Sequence, residues 1–483
     1  MSGVRIPPGG PIYRGAYRAY LYIVENTVNN DRDLTQGSVA HHMARLSGFM
    51  MLGMLSFNVA TLFETIYVGM VGTNELAAIS FTYPLVFTLQ AVSMGLSVGA
   101  SSVVARSIGL GDMQKVRLLT THCLLLSIMF TTLLGVIAFF YLLPIFSLLG
   151  ADPEVLPLVV DYMSIWLIGL PVFALSFVGT SLMRASGDAL TPGVLSTVGS
   201  ILHVLIAPFL IFGLGPFPEL GLQGTAISFV IARTIAFLAL MYVFVFRQEM
   251  LRFELRGFFD SSKEIFHVGL PALTANLIMP VSMAIITRLL AGHGTAVVAG
   301  YGVAARIEFM AILVIFSTSM SISPVIGQNW GAGLVARVKE TLRLANGFVL
   351  LYGVFAYVLL LIFGEFFIGL INDDPAVRSA AYDYLIIGPL AMGLMGVMQN
   401  CTNGFNALGK PMPPLIISLL RMIVINIPLA LIGNHFFGYQ GIFVAGVVTT
   451  IMLAAASWLW INRTVDTSAR RMTFDTENTD GSL

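Results

Sequence analysis

The stretch SIGLGDMQKVR, residues 107–117, recurs in altered form 222 positions later as NWGAGLVARVK, residues 329–339. The same offset aligns further glycines, acids and a tyrosine along the chain. The aligned pairs are Gly72 with Gly294, Gly109 with Gly331, Gly111 with Gly333, Lys115 with Arg337, Asp152 with Asp374, Asp161 with Asp383, Tyr162 with Tyr384 and Gly187 with Gly409. A constant offset over so many positions indicates that the chain consists of two related halves.

The composition excludes a water-soluble globular protein. Of the 483 residues, 57% are hydrophobic and 10% are charged, and the mean hydropathy is +0.87, whereas soluble domains carry about 25% charged residues. The apolar runs are long and show no period-two alternation, which predicts membrane-spanning helices of about 20 residues each. We count twelve such runs, six in each half.

An even number of spans in each half places both halves in the membrane with the same orientation. The sequence therefore predicts an all-α integral membrane protein, with twelve transmembrane helices in two six-helix lobes related by a pseudo-twofold axis along the membrane normal. The expected segments are a cytoplasmic N-terminal arm (1–44), a first lobe (45–247), a cytoplasmic linker (248–262), a second lobe (263–463) and a cytoplasmic tail (464–483).

Basic residues occur in alternate connections between the spans, and this bias predicts the orientation. The basic connections carry Arg45, Arg106, Lys115, Arg184, Arg256, Arg337, Lys410 and Arg463. The other connections carry mostly acids, including Glu75, Asp152, Glu219 and Asp374. Because cytoplasmic loops are enriched in Lys and Arg, we expect both termini in the cytoplasm and a multi-pass protein of the cell inner (plasma) membrane.

Four motifs resemble the multidrug and toxic compound extrusion (MATE) family of prokaryotes. They are FETIYVGMVG (63–72), LMRASGDALTP (182–192), VAGYGVAARIEFM (298–310) and SPVIGQNWGAG (323–333). The resemblance covers residues 45–463 and is closer to the DinF-like branch than to the NorM-like branch. It implies two lobes around a V-shaped cavity and export of cationic or amphipathic drugs, driven by entry of H⁺ or Na⁺.

The sequence departs from both branches at the ion site that the resemblance implies. NorM-like members carry acids in the seventh and tenth spans, but the seventh span here (270–290) has none and the tenth has only Asp383 at its outer end. DinF-like members carry an Asp in the first span and an Asn-x-x-x-Asp-Pro pattern in the fifth. Here Glu64 keeps the first carboxylate, and the fifth span reads His203-x-x-x-Ala207-Pro208.

We therefore predict an ion-coupling site formed by Glu64, His203 and Arg233 in the first lobe. A buried carboxyl favours its protonated form and a nearby cation favours its ionised form, so a proton and a substrate cation can compete for Glu64. His203 is the second titrating group, since an unperturbed imidazole has a pKa of about 6.5. The alternatives are a static salt bridge between Glu64 and Arg233, and a neutral histidine that satisfies buried carbonyls.

The resemblance also implies polar residues that line a substrate cavity in the first lobe. Carried over position by position, these are Asn58, Tyr162, Thr180 and Thr225, and Tyr67 lies one helical turn from Glu64 on the same face. The GQN stretch (327–329) and the RASGD stretch (184–188) are interpreted as helix ends and loops rather than substrate contacts.

In the second lobe, Arg306 and Glu308 stand two positions apart and so cannot face each other on a helix. They are expected to form either a second ion site or a structural network, with different partners.

The sequence contains no phosphate-binding loop, metal-ligand cluster or catalytic carboxylate pair, so we expect no enzyme activity, no metal and no cofactor. We predict a secondary active antiporter that exports organic cations or amphipathic drugs by alternating access, coupled to H⁺ entry through the first lobe. The alternatives are a Na⁺-coupled exporter of the same fold and a flippase for a lipid-linked or amphipathic metabolite. The expected partners are a small-molecule substrate and membrane lipids, with no nucleic acid, and we expect a monomer.

Overall fold

The computed structural model describes residues 32–480, so most of the expected N-terminal arm (1–44) lies outside the described residues. The described part contains twelve long apolar helices. They are α1 (Val39–Val71), α2 (Thr73–Gly109), α3 (Met113–Phe140), α4 (Leu156–Ala185), α5 (Leu190–Ile211), α6 (Gly221–Arg247), α7 (Phe258–Ala291), α8 (Thr295–Gly331), α9 (Val335–Ile371), α10 (Pro375–Ala407), α11 (412–437) and α12 (439–480). A short helix, Leu142–Leu148, follows α3.

The helices pack as two groups of six, which confirms the predicted architecture. In the first lobe, α1 packs on α5, α5 on α6, and α4 on α2, α3 and α6. In the second lobe, α8 packs on α9 and α10, and α9 on α10. Between the lobes, α2 packs on α7 and α8 packs on α1. Helix α8 is the counterpart of α2, and α1 is the counterpart of α7. The two contacts are therefore equivalent, as a twofold axis between the lobes requires.

The closest approach of the two lobes joins the two copies of the repeated stretch. A Cβ added to Gly109 at the end of α2 would overlap the backbone carbonyl of Gln328, and one added to Gly331 at the end of α8 would overlap that of Arg106. The position of an added Gly331 Cβ is 3.1 Å from the Gly109 Cα. The two helices cross backbone to backbone here, and only glycine leaves room for that crossing.

The turn between α11 and α12 is much tighter than its counterpart in the first lobe. The two helices meet at Gly438, whose φ of 61° and ψ of −149° break a single run of helical hydrogen bonds. The repeat offset falls from 222 to 217 between Gly187/Gly409 and Gly224/Gly441. The second lobe therefore has five residues fewer at this turn (222 − 217), and a single glycine takes the place of the longer loop.

Two segment boundaries differ from those expected. Helix α1 begins at Val39, capped by Ser38, so it starts six residues before the expected boundary at Arg45. Helix α7 begins at Phe258, which leaves 248–257 as the connection between the lobes. In both places the helix continues from the apolar run into polar sequence, because polar residues outside the hydrocarbon layer can extend a helix whose core is already formed.

Residues 32–37, here called the interlobe strap, lie across the end of the molecule where α2 and α8 cross. The side chain of Leu34 is fully buried. Its backbone N–H donates to Gln328 Oε1 at 3.1 Å, and its carbonyl accepts from Asn329 Nδ2 at 3.0 Å. Arg337 donates to the carbonyls of Leu34, Gln36 and Gly37 over 2.9–3.2 Å. The strap is therefore bound firmly to the second lobe.

The strap also reaches the first lobe. Arg32 pairs with Asp188 at 2.9 Å, and the Asp188 side chain is 4% exposed. Beside it, Gln328 Nε2 donates directly across the lobe boundary to the Ala185 carbonyl at 2.7 Å. The RASGD and GQN stretches do lie at helix ends, as expected, and the structure adds that they bind one another and the strap. This end of the molecule is closed.

We expect Gly331→Ala to separate the ends of α2 and α8. An added methyl group would overlap a backbone carbonyl that no side-chain rotation can move, and overpacking of this kind costs about 1–3 kcal/mol. Thiol labelling of a cysteine placed at Ala105, which is fully buried beside this crossing, should therefore become faster. Gly48→Ala in α1 is the matched control, because nothing lies within 4 Å of its added Cβ. Equal labelling in both variants would contradict the proposed crossing.

Candidate functional site

Glu64 in the first lobe accepts a hydrogen bond from a tyrosine on another helix. Helix α1 supplies Glu64, which is half-buried, and α4 supplies the buried Tyr162. The Tyr162 hydroxyl donates to Glu64 Oε1 at 3.5 Å, a long hydrogen bond. Tyr83 from α2 is a further neighbour that interacts electrostatically with the Glu64 carboxylate. Within the described residues this carboxylate forms no ion pair at 4.0 Å or less, so its charge is not neutralised by direct contact.

Aromatic rings hold Arg233 in place. The Arg233 guanidinium lies 5.1 Å from the ring centre of Phe57, 5.2 Å from that of Phe229 and 5.9 Å from that of Phe173. It interacts electrostatically with Glu64 without a nitrogen–oxygen contact of 4.0 Å or less in the described chain. The static salt bridge considered above is therefore not the arrangement found. Cation–π attraction to three rings holds the guanidinium at this place instead.

His203 faces Arg233 from a third helix and does not contact Glu64. The ring, on α5, is 6% exposed and meets Phe229 edge to face with centroids 5.7 Å apart. One side of the ring faces the backbone of Thr225, and the buried Nε2 has no hydrogen-bond partner. No hydrogen bond or ion pair joins His203 to Glu64 among residues 32–480. The three predicted ion-site residues thus group around Arg233, with His203 and Glu64 apart from each other.

The five expected cavity residues have different surroundings. Thr180 lines a small cavity of about 50 Å³ that Arg233 also reaches. Thr225 is fully buried next to His203, and its hydroxyl lacks a hydrogen-bond partner. Two of the others make local contacts. Asn58 Nδ2 donates to the Met54 carbonyl of its own helix at 2.8 Å, and the Tyr67 ring packs on Phe63 and Phe212. Tyr162 is the member that contacts Glu64.

The second lobe contains a parallel cluster around Glu308. The Tyr384 hydroxyl donates to Glu308 Oε2 at 2.6 Å, and Arg421 of α11 interacts electrostatically with the same carboxylate. Arg306 is exposed and stands outside this network; its electrostatic neighbour is Tyr83 in the other lobe. Arg306 and Glu308 therefore have different partners, as their spacing indicates. The network joins Glu308 to Tyr384 and Arg421, and Arg306 is not part of it.

The two clusters share a tyrosine that the sequence repeat aligns, but nothing else in them is aligned. Tyr162 and Tyr384 stand 222 positions apart. The residue aligned with Glu64 is Ile286, and the residue aligned with Glu308 is Val86. Each lobe thus places a tyrosine, a glutamate and an arginine together using different helices. The repeat could have identified the tyrosines from the sequence, and Arg421 is identifiable as a charged residue inside an apolar span. Tyr83 carried no comparable signal.

A larger cavity, of about 310 Å³, lies in the second lobe. Glu308, Tyr384 and Arg421 all line it, together with residues of α7 and α12. A carboxylate, a guanidinium and phenol groups thus face one space that is large enough for a small ligand.

The family profile described as MatE matches residues 50–209 and 271–432, one segment in each lobe. A FAD transporter from Shewanella oneidensis is 32% identical over 419 residues, which cover 86% of this chain and 92% of that relative. The multidrug export protein MepA of Staphylococcus haemolyticus is 26% identical over 413 residues, covering 84% of this chain and 90% of MepA.

The fold is also similar to that of solved transporters. The bent form of the MATE transporter VcmN from Vibrio cholerae superposes with a TM-score of 0.85 at 27% identity, over 89% of this chain and 97% of that chain. The agreement extends over both lobes, because so large a share of each chain is matched.

We expect Glu64→Gln to leave stability nearly unchanged, because no direct ion pair is broken. Asp188→Asn is the matched contrast: Asp188 is buried and accepts hydrogen bonds from Arg32, Thr191 and Gln248. Because Arg32 is partly exposed, the cost is that of weakening hydrogen bonds to a buried acceptor, about 1–3 kcal/mol. Thermal unfolding in detergent, followed by tryptophan fluorescence, should show a large loss for Asp188→Asn alone. An equal loss in both variants would mean that Glu64 is held by a salt bridge.

Proposed function

The chain belongs to the MatE family of membrane transporters, and we propose that it exports an aromatic compound by alternating access, coupled to proton entry through the first lobe. Members of this family are transporters, so the protein is a multi-pass membrane transporter of small molecules rather than an enzyme. The proton coupling, the substrate and the orientation are the parts that we propose.

The state of the Glu64 carboxylate supports proton coupling. It is half-buried, accepts a single long hydrogen bond from Tyr162, and has no direct ion pair in the described chain. Such a group can take up and release a proton without breaking a salt bridge. A sodium ion would require several oxygen ligands, and among residues 32–480 the Tyr162 hydroxyl is the one oxygen that a hydrogen bond holds beside the Glu64 carboxylate. A proton is therefore the better match, and Na⁺ stays the alternative.

The charges inside the spans favour a substrate that carries negative charge beside its aromatic part. Two glutamates, Glu64 and Glu308, are set against three arginines, Arg233, Arg306 and Arg421. None of the three arginines forms an ion pair at 4.0 Å or less in the described part of the chain. The relative from Shewanella oneidensis is a FAD transporter, and a flavin nucleotide combines an aromatic ring with phosphates. We therefore propose a flavin nucleotide as the first candidate, which is also an amphipathic metabolite of the kind that a flippase would move.

An organic cation is the second candidate. MepA is a multidrug export protein. The first lobe has the aromatic faces of Phe57, Phe173 and Phe229 around Arg233, and Glu64 interacts electrostatically with that arginine. Aromatic faces and a carboxylate attract cations. Arg233 now covers those faces, so a cation would have to displace it or bind elsewhere.

Alternating access is supported by the contacts that close one end of the molecule. The interlobe strap and the crossing of α2 and α8 close the end that carries Arg106, Arg184 and Arg337. We propose that this arginine-rich end faces the cytoplasm, since basic loops stay inside, and that both termini lie there too. The closed end would then make the conformation outward-facing. We propose that a single chain in the plasma membrane suffices, because each lobe already contains its own cluster.

Transport into or out of proteoliposomes tests the coupling. With a pH gradient and no sodium, FAD and ethidium efflux should be measurable, and dissipating the gradient should reduce it. Glu64→Gln should lower the rate by at least about tenfold, the factor that corresponds to roughly 1.4 kcal/mol. Glu154→Gln, an exposed acid in a loop, is the control and should transport normally. Efflux that requires sodium and ignores the pH gradient would overturn the proposal.

A further inference from the structure

The cavity in the second lobe contains polar groups that the protein itself leaves without partners. Helix α11 supplies Arg421 and Asn426, and α12 supplies Thr449. The Oδ1 atom of Asn426 and the Oγ1 atom of Thr449 are buried, and neither has a hydrogen-bond partner in the described part of the chain. Arg421 likewise makes no hydrogen bond to any described residue. A guanidinium carries five N–H donors, so this cavity offers donors beside an unused acceptor.

Leaving such groups unpaired is costly, and this points to a ligand. A buried polar group without a hydrogen bond costs about 1–3 kcal/mol, and Thr449 is 1% exposed. Two of these groups lie on neighbouring turns of one helix, and the third lies on the helix that follows. All three groups line one space of about 310 Å³. A molecule with acceptors for Arg421 and a donor for Asn426 Oδ1 would satisfy them together.

The remaining walls of the cavity are aromatic and sulfur-containing. The rings of Tyr301 and Phe443 stack with centroids 6.1 Å apart, and Tyr384 meets both edge to face at 5.0–5.1 Å. Methionines complete the wall: Met279, Met283, Met392, Met395 and Met422. Aromatic faces and polarisable thioethers bind flat aromatic rings well. The cavity is thus polar on one side and suited to a planar ring on the other.

The Glu308–Tyr384 hydrogen bond has a positioning role in this cavity. The 2.6 Å bond fixes the Tyr384 hydroxyl, and the ring of Tyr384 in turn packs against Tyr301 and Phe443. Glu308 therefore orients the aromatic wall through Tyr384.

We propose that this cavity binds the planar heterocycle of the transported compound, with an imide-like edge directed at Arg421 and Asn426. In a flavin, the pyrimidine edge of the ring presents two carbonyl oxygens on either side of one N–H. The carbonyls would accept from Arg421 and the N–H would donate to Asn426 Oδ1. A volume of about 310 Å³ is at the lower end of small-ligand pockets, roughly 300–1,000 Å³. It holds a ring system, so the phosphates of a dinucleotide would extend into the cleft. The inference rests on the flavin candidate and adds the site and the orientation.

Binding to the purified full-length protein tests the site directly. Fluorescence anisotropy of riboflavin reports on the ring alone, competition by FAD reports on the nucleotide, and competition by ethidium reports on a cation. Asn426→Leu should weaken riboflavin binding by about tenfold or more, because the imide N–H loses its acceptor. Asn462→Leu is the matched control: it lies on α12 outside the cavity, and its amide already donates to the Trp458 carbonyl at 2.9 Å.

Thr449→Val separates a role in binding from a role in folding. Replacing an unpartnered buried hydroxyl by a methyl group should leave the melting temperature of the ligand-free protein unchanged or higher. The same substitution should weaken riboflavin binding by about threefold or more, if the hydroxyl serves the ligand.

The possible results distinguish failure of the cavity assignment from failure of the proposed flavin export. If wild type transports FAD but riboflavin binding is equally strong in Asn426→Leu and Thr449→Val, the cavity assignment is wrong and flavin export stands. If wild type neither binds riboflavin nor transports FAD but exports ethidium, the flavin candidate fails together with the cavity assignment. Weakened binding in both cavity variants, with normal binding in Asn462→Leu, supports the site.

Discussion

The backbone contact between Gly109 and Gly331, where α2 crosses α8, is the constraint on which the rest of the structure depends. The two glycines occupy equivalent places in the two halves of the sequence, so their contact lies where a twofold axis between the lobes must pass. Side chains larger than hydrogen would separate the helices at this point. The interlobe strap then binds over the crossing, with Arg337 and Asp188 as its main contacts on the two lobes. The backbone crossing of α2 and α8 therefore brings the lobes together at this end, and the polar contacts of the strap add to the closure.

Several interior charges line cavities within the lobes: Glu308 and Arg421 in the second lobe and Arg233 in the first. Their common feature is that they are not neutralised by direct ion pairs. Arg233 lies against aromatic rings, and Glu64 and Glu308 each accept a hydrogen bond from a tyrosine. A transporter needs charges that can exchange partners, and a tight salt bridge would resist such exchange. The first lobe is the better candidate for the proton, and the second lobe has the larger cavity.

The sequence predicted the architecture because hydropathy and the repeat both report on it directly. Twelve apolar runs and a constant offset require two similar lobes, and the structure has them. Glu64 and Glu308 were identifiable as acids in apolar helices, which are costly there and have few ordinary uses. The strap was not identifiable, since Leu34 stands in a short polar segment whose burial depends on helix ends from both lobes.

The cavity residues show a different limit. Asn426 and Thr449 are common polar residues within apolar helices, and only the three-dimensional structure shows that their oxygen atoms lack partners. The residues expected to line the first-lobe cavity were carried over by sequence position. Whether a residue lines a cavity depends on the direction of its side chain, which sequence position does not give. Asn58 bonds to its own helix, and Thr225 is buried beside His203. Arg306 and Glu308 illustrate the same point, since neighbours in sequence face different lobes.

If proton uptake at Glu64 drives alternating access, protonation of Glu64 must be linked to opening of the α2–α8 crossing, and one distance tests this link. Leu110 directly follows Gly109, Leu334 lies three residues after Gly331, and both side chains are exposed. Spin labels at these two positions allow the separation to be measured by double electron–electron resonance. In wild type we predict a short and a long distance population whose proportions change with pH. In Glu64→Gln the proportions should no longer respond to pH. A pH response that is the same in both proteins, or a single distance at every pH, would contradict the account.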